Sequence, residues 1–384
     1  MTTRCYLDWN ATAPLRPEAS AAAAEALGWS LGNPASVHAE GRRSRRLVER
    51  ARAEVAEFAA AGTDEVVFTS GGSESNATGL WGLVAGAGEV RGRPLLVAAC
   101  EHPAVKAFAA ALARLGAAFE EIPVGRDGTL DLGALREAVA RRPGATVAVQ
   151  LANSETGVVQ DLAAVAGIVH AAGGRVHSDA VQAAGKLPIP AGRWGVDTLA
   201  LAGHKLGAPH GIGALVVRGG VELAPLIPGS QEAHRRGGTE NVGGAVAFGV
   251  TCRLAADEIP AWLALAQIRD AFEQAVGEAF PDTPVYGRGS ERLPNTSCVG
   301  LPAGLRGGAA VAALDLEGFA VSSGPACGSG VERRSPAVEA MGFGGEAAER
   351  TLRVSLGPGI GKQEVLGLVA ALERIWRRGR GGAR

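Results

Sequence analysis

Lysine is scarce in this sequence. Of 38 lysine and arginine side chains, only those at positions 106, 186, 205 and 362 are lysine. Net charge is nearly absent as well, at −1, so there is no electrostatic case for binding nucleic acid or a membrane surface. Five cysteines (Cys5, Cys100, Cys252, Cys298 and Cys327) are scattered singly without a CxxC, which argues against a disulfide framework and a zinc site. Seven histidines include no HExxH, so no metal centre is expected. No segment has the length and apolarity of a membrane span, and the start MTTRCYLDWNATAPLRPE lacks a signal-peptide core. A reducing, cytoplasmic setting is the expectation. No internal repeat or low-complexity linker interrupts the chain.

What is present points to an α/β protein. The 384 residues exceed one average domain, so two are expected. Hydrophobic residues at 47% and charged residues at 20% are ordinary for a globular chain, while 56 glycines suggest many tight turns and close backbone approaches. Short apolar runs alternate with helical patterns: EVVFTS, LLVAAC, TVAVQLAN, GRVHSDA, VDTLALAG and GIGALVV read as strands, separated by helix-length segments. That alternation implies βαβ units and a mostly parallel sheet. ADEIPAWLALAQIRDAFEQAVGEAF reads as a long amphipathic helix, and NTSCVGL, AALDLEGFAVSS and LRVSLG after it as a smaller α+β domain.

In open α/β sheets the ligand sits beyond the carboxyl ends of the strands. Polar residues collect at five such ends: 70–76, 101–102, 153–157, 178–182 and 203–205. SGGSESN, with Gly72 and Ser73, is either a plain helix start or a phosphate cradle. GAGEVRG at 86–92 is a poor nucleotide loop, because it follows a helix pattern instead of a strand. Asp179 in SDAVQ could cap a helix, ligate magnesium or partner a cationic ring nitrogen. Lys205 in AGHKLG, at the mouth of the sheet, suits a Schiff base, since desolvation lowers an amine's pKa. The other three lysines lie in helical or proline-adjacent settings with no acid partner. A phosphate cradle, an acid for a pyridinium nitrogen and a lysine for an aldehyde are together what pyridoxal 5'-phosphate requires, with His102 to stack on the ring or move protons. VSSGPACGSG then offers one thiol, Cys327, among loop residues: an accident of composition or a nucleophile.

LDWNATAP, GNPASVH, FTSGGSESN, EHPAV, NSETGVVQ, HSDAVQAAGK, AGHKLGAPHGIGAL, GGTEN, SSGPAC and RVSLG recur in this order in the cysteine desulfurases, which this sequence resembles over nearly its full length. These are class V aminotransferases of fold type I. SSGPACGS is similar to the loop of the nitrogen-fixation and iron–sulfur-assembly group. The resemblance implies a large cofactor domain with a mostly parallel seven-stranded sheet, residues 15–257. It implies a small α+β domain from residues 1–14 and 258–384, carrying the cysteine loop.

It also implies roles. Lys205 binds the cofactor aldehyde, Asp179 keeps the pyridine nitrogen protonated, and Gln182 bonds the phenolic oxygen. His102 stacks on the ring and shares in proton transfer. Gly72, Ser73 and His204 hold the phosphate, joined by Thr239 from the partner of a homodimer. Arg353 and Asn33 bind the α-carboxylate of L-cysteine. Cys327 takes the sulfur as a persulfide, leaving alanine, and passes it to an acceptor such as an iron–sulfur scaffold protein. The chain departs from the family's usual pattern at Ala202, where a serine is usual, and at Ser154 beside the ring, where an asparagine is usual. Alternatives are a selenocysteine lyase, another class V transaminase or lyase, and a non-catalytic relative that retains only binding.

Overall fold

The computed structural model describes residues 4–28, 32–86, 88–324 and 334–381. Among them the strands are β1 (Cys5–Tyr6), β2 (Val66–Thr69), β3 (Pro94–Ala98), β4 (Ala118–Ile122), β5 (Thr146–Ala148) and β6 (Arg175–Asp179). They continue with β7 (Thr198–Ala202), β8 (Gly213–Val217), β9 (Thr296–Gly300), β10 (Phe319–Ala320) and β11 (Thr351–Ser355). Strands β2 to β8 form one sheet in the order β2-β8-β7-β6-β5-β3-β4. Only β8 runs against its neighbours; the other pairings are parallel. The interior strand β7, TLALA, is buried along its whole length and almost wholly apolar because helices cover both faces.

Two elements differ from the sequence expectation, each for a physical reason. AFEEI, strand β4, carries two glutamates and was not expected as a strand. It lies at the sheet edge, where Glu120 and Glu121 turn outward to Arg141, Arg142 and Lys106. Lys106 therefore does have an acid partner, Glu121 at 3.0 Å. The long helix begins earlier than expected, at Val242, and runs 38 residues to Ala279 with Pro260 inside it. Glycines in VGGAVAFGV lower helix propensity, but they allow close packing. A Cβ on Gly249 would stand 2.9 Å from Ala51 Cα. The Asn241 side chain caps the start, accepting from Gly244 N at 3.0 Å.

That helix links two apolar clusters. One lies against the large sheet and includes Leu96, Val147, Val176, Leu199 and Phe248. The other gathers Leu7, Trp262, Phe272, Val354 and Leu368. Around the second cluster β11 pairs antiparallel with β9, and β1 pairs parallel with β10. Isolated bridges join Asp8 to Ser355 and Ser322 to Arg353. The N-terminal segment thus threads through the smaller unit before entering the large one. Among the described residues no helix is long and apolar enough to cross a membrane.

Candidate active site

β2, β3, β5, β6 and β7 end at one edge of the sheet, and the reversed strand β8 begins there. After β2 the chain turns through Gly71, at φ 152° and ψ −178°, into the helix Gly72–Ala85. That backbone region is essentially open only to glycine. Gly213, opening β8, is also constrained: a Cβ there would lie 2.7 Å from both Gly71 Cα and Leu201 O. This close approach sets the helix start beside the turn that carries Lys205. The first amides of the helix, at Gly72 and Ser73, lack intrahelical acceptors and favour an anion. Ala202 is buried next to them; a Cβ on Gly72 would come 3.3 Å from Ala202 Cβ. Glu74 in the same turn would oppose an anion, but Arg236 takes both its oxygens, at 2.7 and 3.3 Å. Burial pushes the Glu74 carboxyl up, and bonds from Arg236 and Ser70 outweigh it, so the net direction is down.

Asp179 ends β6 and is almost fully buried. Its Oδ1 accepts from Val181 N at 2.9 Å, and its Oδ2 from Asn76 Nδ2 at 2.7 Å. Asn76 Oδ1 lies 2.9 Å from His177 Nε2, and His177 Nδ1 lies 2.9 Å from Thr198 Oγ1. Burial drives His177 down to about 3, so the ring is neutral with a single N–H. The amide donates Nδ2 to Asp179, which puts that N–H on Nε2 and makes Nδ1 the acceptor of the Thr198 hydroxyl. Every donor in the chain therefore points toward Asp179. Glu101 is also buried. Burial first, and then the Asp179 charge, push its carboxyl up to about 8, so Glu101 is mostly neutral at pH 7.

Lys205 sits in the single helical turn Gly203–Lys205 after β7. Its Nζ donates to the carbonyls of Asn10 at 2.5 Å and Ala11 at 2.8 Å. Gln182 Nε2 donates to the same Asn10 carbonyl at 3.0 Å. Asn10 Nδ2 reaches Ser154 O at 3.2 Å and Thr296 Oγ1 at 2.9 Å. Asn10 is thus the hub that joins the Lys205 turn to the smaller unit. His204 stacks on His210 with centroids 5.3 Å apart; burial, then Lys205 and His210, push it down to about 4. His102 caps the helix Pro103–Arg114, its Nδ1 accepting from Ala104 N at 3.1 Å. That bond leaves the N–H of a neutral ring on Nε2.

Arg353, on β11, is fully buried. Its Nη2 pairs with Asp8 Oδ1 at 2.6 Å and its Nη1 lies 3.4 Å from Ser154 O. Its Nε is buried with no partner among the described residues. The other Asp8 oxygen accepts from Ser322 Oγ at 2.9 Å. Glu155, from NSET, accepts from Ser335 Oγ at 2.6 Å and Ala337 N at 3.4 Å, and burial pushes its carboxyl up. Cys327, between Ser322 and Ser335 in sequence, lies outside the described residues.

The structure brings together Gly72, Ser73, Asp179, Gln182, Lys205, Ser154 and Arg353 around Asn10 and the β8 start. Asn33 and Thr239 do not join them. Asn33 is exposed and folds its Oδ1 back to Ala35 N at 2.8 Å. Thr239 is exposed on the loop before Asn241. Among the described residues no group of three or more His, Cys, Asp and Glu is placed to hold a metal ion. Residue reading assigned no role to Asp8, Asn10, Asn76 or His177, although LDWN, SESN and HSDAVQ contain them. Lys186, which its sequence setting leaves without an acid partner, is fully buried at this site, bonded to Asn10 and Gln182. Only its position between Gln182 and Lys205 in HSDAVQAAGK…AGHK hinted at that. An amide-lined anion cradle, a buried hydrogen-bonded acid, a lysine at the sheet edge and a guanidinium with an orphaned N–H fit a phosphorylated pyridine aldehyde and an amino acid carboxylate.

A model of the Aminotransferase class-V family matches residues 5–368. A cysteine desulfurase of Cereibacter sphaeroides is 40% identical over 356 residues, covering 92% of this chain and 90% of the relative. A cysteine desulfurase IscS of Dictyoglomus turgidum is 36% identical over 377 residues, covering 98% and 95%. Among solved structures, a NifS-like protein from Rickettsia africae superposes with a TM-score of 0.87 at 28% identity, covering 97% of this chain and 99% of that one. A structure described as SspA in complex with cysteine superposes at 0.80, also at 28% identity, covering 93% and 99%.

Proposed function

The chain belongs to the class-V aminotransferase family, and we propose that it works there as a cysteine desulfurase dependent on pyridoxal 5'-phosphate. The observation that carries this reading is the convergence on Asn10. One residue ties Lys205 and Gln182 to Ser154 O, which Arg353 also touches. A lysine for an aldehyde and a guanidinium for a carboxylate are thereby held in one buried network.

When bound, the cofactor supplies an aldehyde for amines and an electron sink for the substrate's Cα. The protein's own groups do the rest. Gly72 and Ser73 amides, with His204, would hold the phosphate; Asp179 would hold the ring-nitrogen proton, and Gln182 would donate to the phenolic oxygen. Ser154 and His102 would line the ring. Arg353 takes the substrate carboxylate as Asp8 gives way, which orients the amino group toward the Lys205 side. Lys205 moves the proton at Cα. Cys327, as thiolate, attacks the substrate sulfur; its Cβ–S bond breaks, an S–S bond forms, and protons returned to the carbon skeleton give alanine. Cysteine plus enzyme thiol becomes alanine plus enzyme persulfide, in balance. A sulfur-acceptor protein, such as an iron–sulfur scaffold, takes the sulfur onward.

The proposal extends to a cytoplasmic homodimer in which the exposed Thr239 serves the partner's phosphate, and Asn33 serves the carboxylate. It includes a division at residues 257/258, with residues 1–14 in the small domain; within the long helix the switch from Ala255 in the first cluster to Trp262 in the second supports it, although Tyr286, Leu293, Cys298, Val338, Met341 and Ala348 also pack into the first cluster. The test is incubation of Cys327→Ser with L-cysteine. The variant is expected to keep its cofactor and bind cysteine, yet form neither protein persulfide nor stoichiometric alanine. Normal sulfur release by this variant would show that another thiol attacks.

A further inference from the structure

A fully buried lysine with no acid partner among the described residues is costly. Lys186 lies seven residues past Asp179 and donates from Nζ to Asn10 Oδ1 at 2.9 Å and to Gln182 Oε1 at 3.1 Å. The charged groups that act on it are Lys205, in the turn after β7, and Arg353 on β11, both positive. From the helix Val242–Ala279 the Trp262 ring faces it, 5.9 Å from Nζ to the centroid. Burial first, then those two charges, hold its ammonium well below the usual lysine range. A methionine would fill this space with a smaller desolvation cost. What methionine lacks is N–H bonds.

We propose that Lys186 is a positioning residue: it fixes which end of the Gln182 amide faces the site and, through Asn10, where Lys205 Nζ rests. An amide side chain has one accepting and one donating end of nearly equal shape. Lysine, protonated or neutral, has at least two N–H bonds, enough for both oxygens it meets. It therefore claims Oε1 of Gln182 and turns Nε2 toward the Asn10 carbonyl and the site. The same contact claims Oδ1 of Asn10, which leaves Nδ2 for Ser154 O and Thr296 Oγ1. Asn10 so held offers its carbonyl to Lys205 Nζ. Because the cofactor's phenolic oxygen accepts hydrogen bonds, a Gln182 flipped end for end would present oxygen to oxygen. This inference rests on the pyridoxal phosphate reading and names the residue that sets the donor on the ring side.

The experiment titrates the visible absorption of the reconstituted holoenzyme, which reports the pH at which the Lys205–cofactor linkage takes up its proton. A donor to the phenolic oxygen favours the deprotonated linkage, so losing it raises the midpoint. Lys186→Met is expected to move the midpoint up by about one pH unit. Lys186→Gln keeps N–H donors without the amine and is expected to stay near wild type. An unchanged midpoint in Lys186→Met, or a shift in Lys186→Gln as large as in Lys186→Met, overturns the proposal; the second outcome would assign the effect to charge alone. If Lys186→Met does not fold, the Lys186→Gln midpoint decides: near wild type supports positioning, and a shift up by a full unit overturns it. A wild-type protein with no band that borohydride fixes to Lys205 would instead overturn the cofactor reading itself.

Discussion

The two sides of the candidate site are built on different principles. On the ring side, Asp179, Asn76, His177 and Thr198 form a closed series of hydrogen bonds, and every member is buried. All four come from the large sheet or the helix over it, so the series depends on nothing outside one rigid unit. On the carboxylate side, Arg353 comes from the smaller unit and meets Asp8 from the N-terminal segment, while its Nε has no partner among the described residues. One side is complete before anything binds. The other is held by an internal carboxylate, Asp8, which a substrate carboxylate would displace under the proposed function. Preorganisation lowers the reorganisation needed where charge is held throughout a reaction, whereas a replaceable partner suits a group that must come and go each turnover.

The largest effect that can test this contrast is at the lysine that the Asn10 hub ties to both sides. Lys205→Ala is expected to abolish the covalent cofactor linkage, read as loss of any borohydride-fixed label; a retained linkage would move the Schiff base to another lysine. Next, Arg353→Lys keeps the charge opposite Asp8 but removes the planar fork. A charge-assisted hydrogen bond contributes about 1.5–3 kcal/mol, so kcat/KM for cysteine is expected to fall about ten- to a hundredfold. The fall should lie mostly in KM, with cofactor affinity unchanged, and an equal loss of cofactor binding would erase the distinction between the sides.

Smaller is the effect of weakening the internal competitor. Asp8→Asn is expected to tighten binding of a cysteine analogue several-fold, measured by calorimetry on the holoenzyme. Weaker binding would mean that Asp8 orients Arg353 throughout and is never displaced. The smallest effect concerns Glu101, on the preorganised side. Its folded pKa, about 8, is raised from the ordinary value of 4.5, by burial first and then by Asp179. Stability from the buried neutral acid is therefore full below pH 4.5 and is lost as pH rises through about 8. Glu101→Gln keeps an acceptor for Gln150 N and removes that loss, so its melting temperature is expected to exceed wild type by a few degrees at pH 8 and to match it near pH 4. A parallel pH dependence in both proteins would show that Glu101 does not carry the titration.

Much of this was legible in the chain itself. Alternation of short apolar runs with helix-length segments dictates a parallel sheet, because strands buried on both faces need crossovers that cover them. Glycine, lysine and aspartate at strand ends mark the ligand edge, because backbone leaving a sheet is where polar groups can be both held and reached. Edge strand β4 escaped that reading because its glutamates are stabilised by basic residues on other elements, among them Lys106, Arg141 and Arg142. The long helix escaped in part because its first turns are glycine-rich and gain their stability from packing.

What only the tertiary structure decided is which residues act on one another. Asn76 lies 103 residues from Asp179, and Asp8 lies 345 from Arg353; no local pattern encodes such pairs. Composition gives Lys186 the look of a spare surface cation, yet it is enclosed beside two amides whose orientation it sets. Hydrogen bonds act over about 3 Å. The sequence therefore determined where the strands end and which groups stand there, and folding alone determined which of those groups came within that distance.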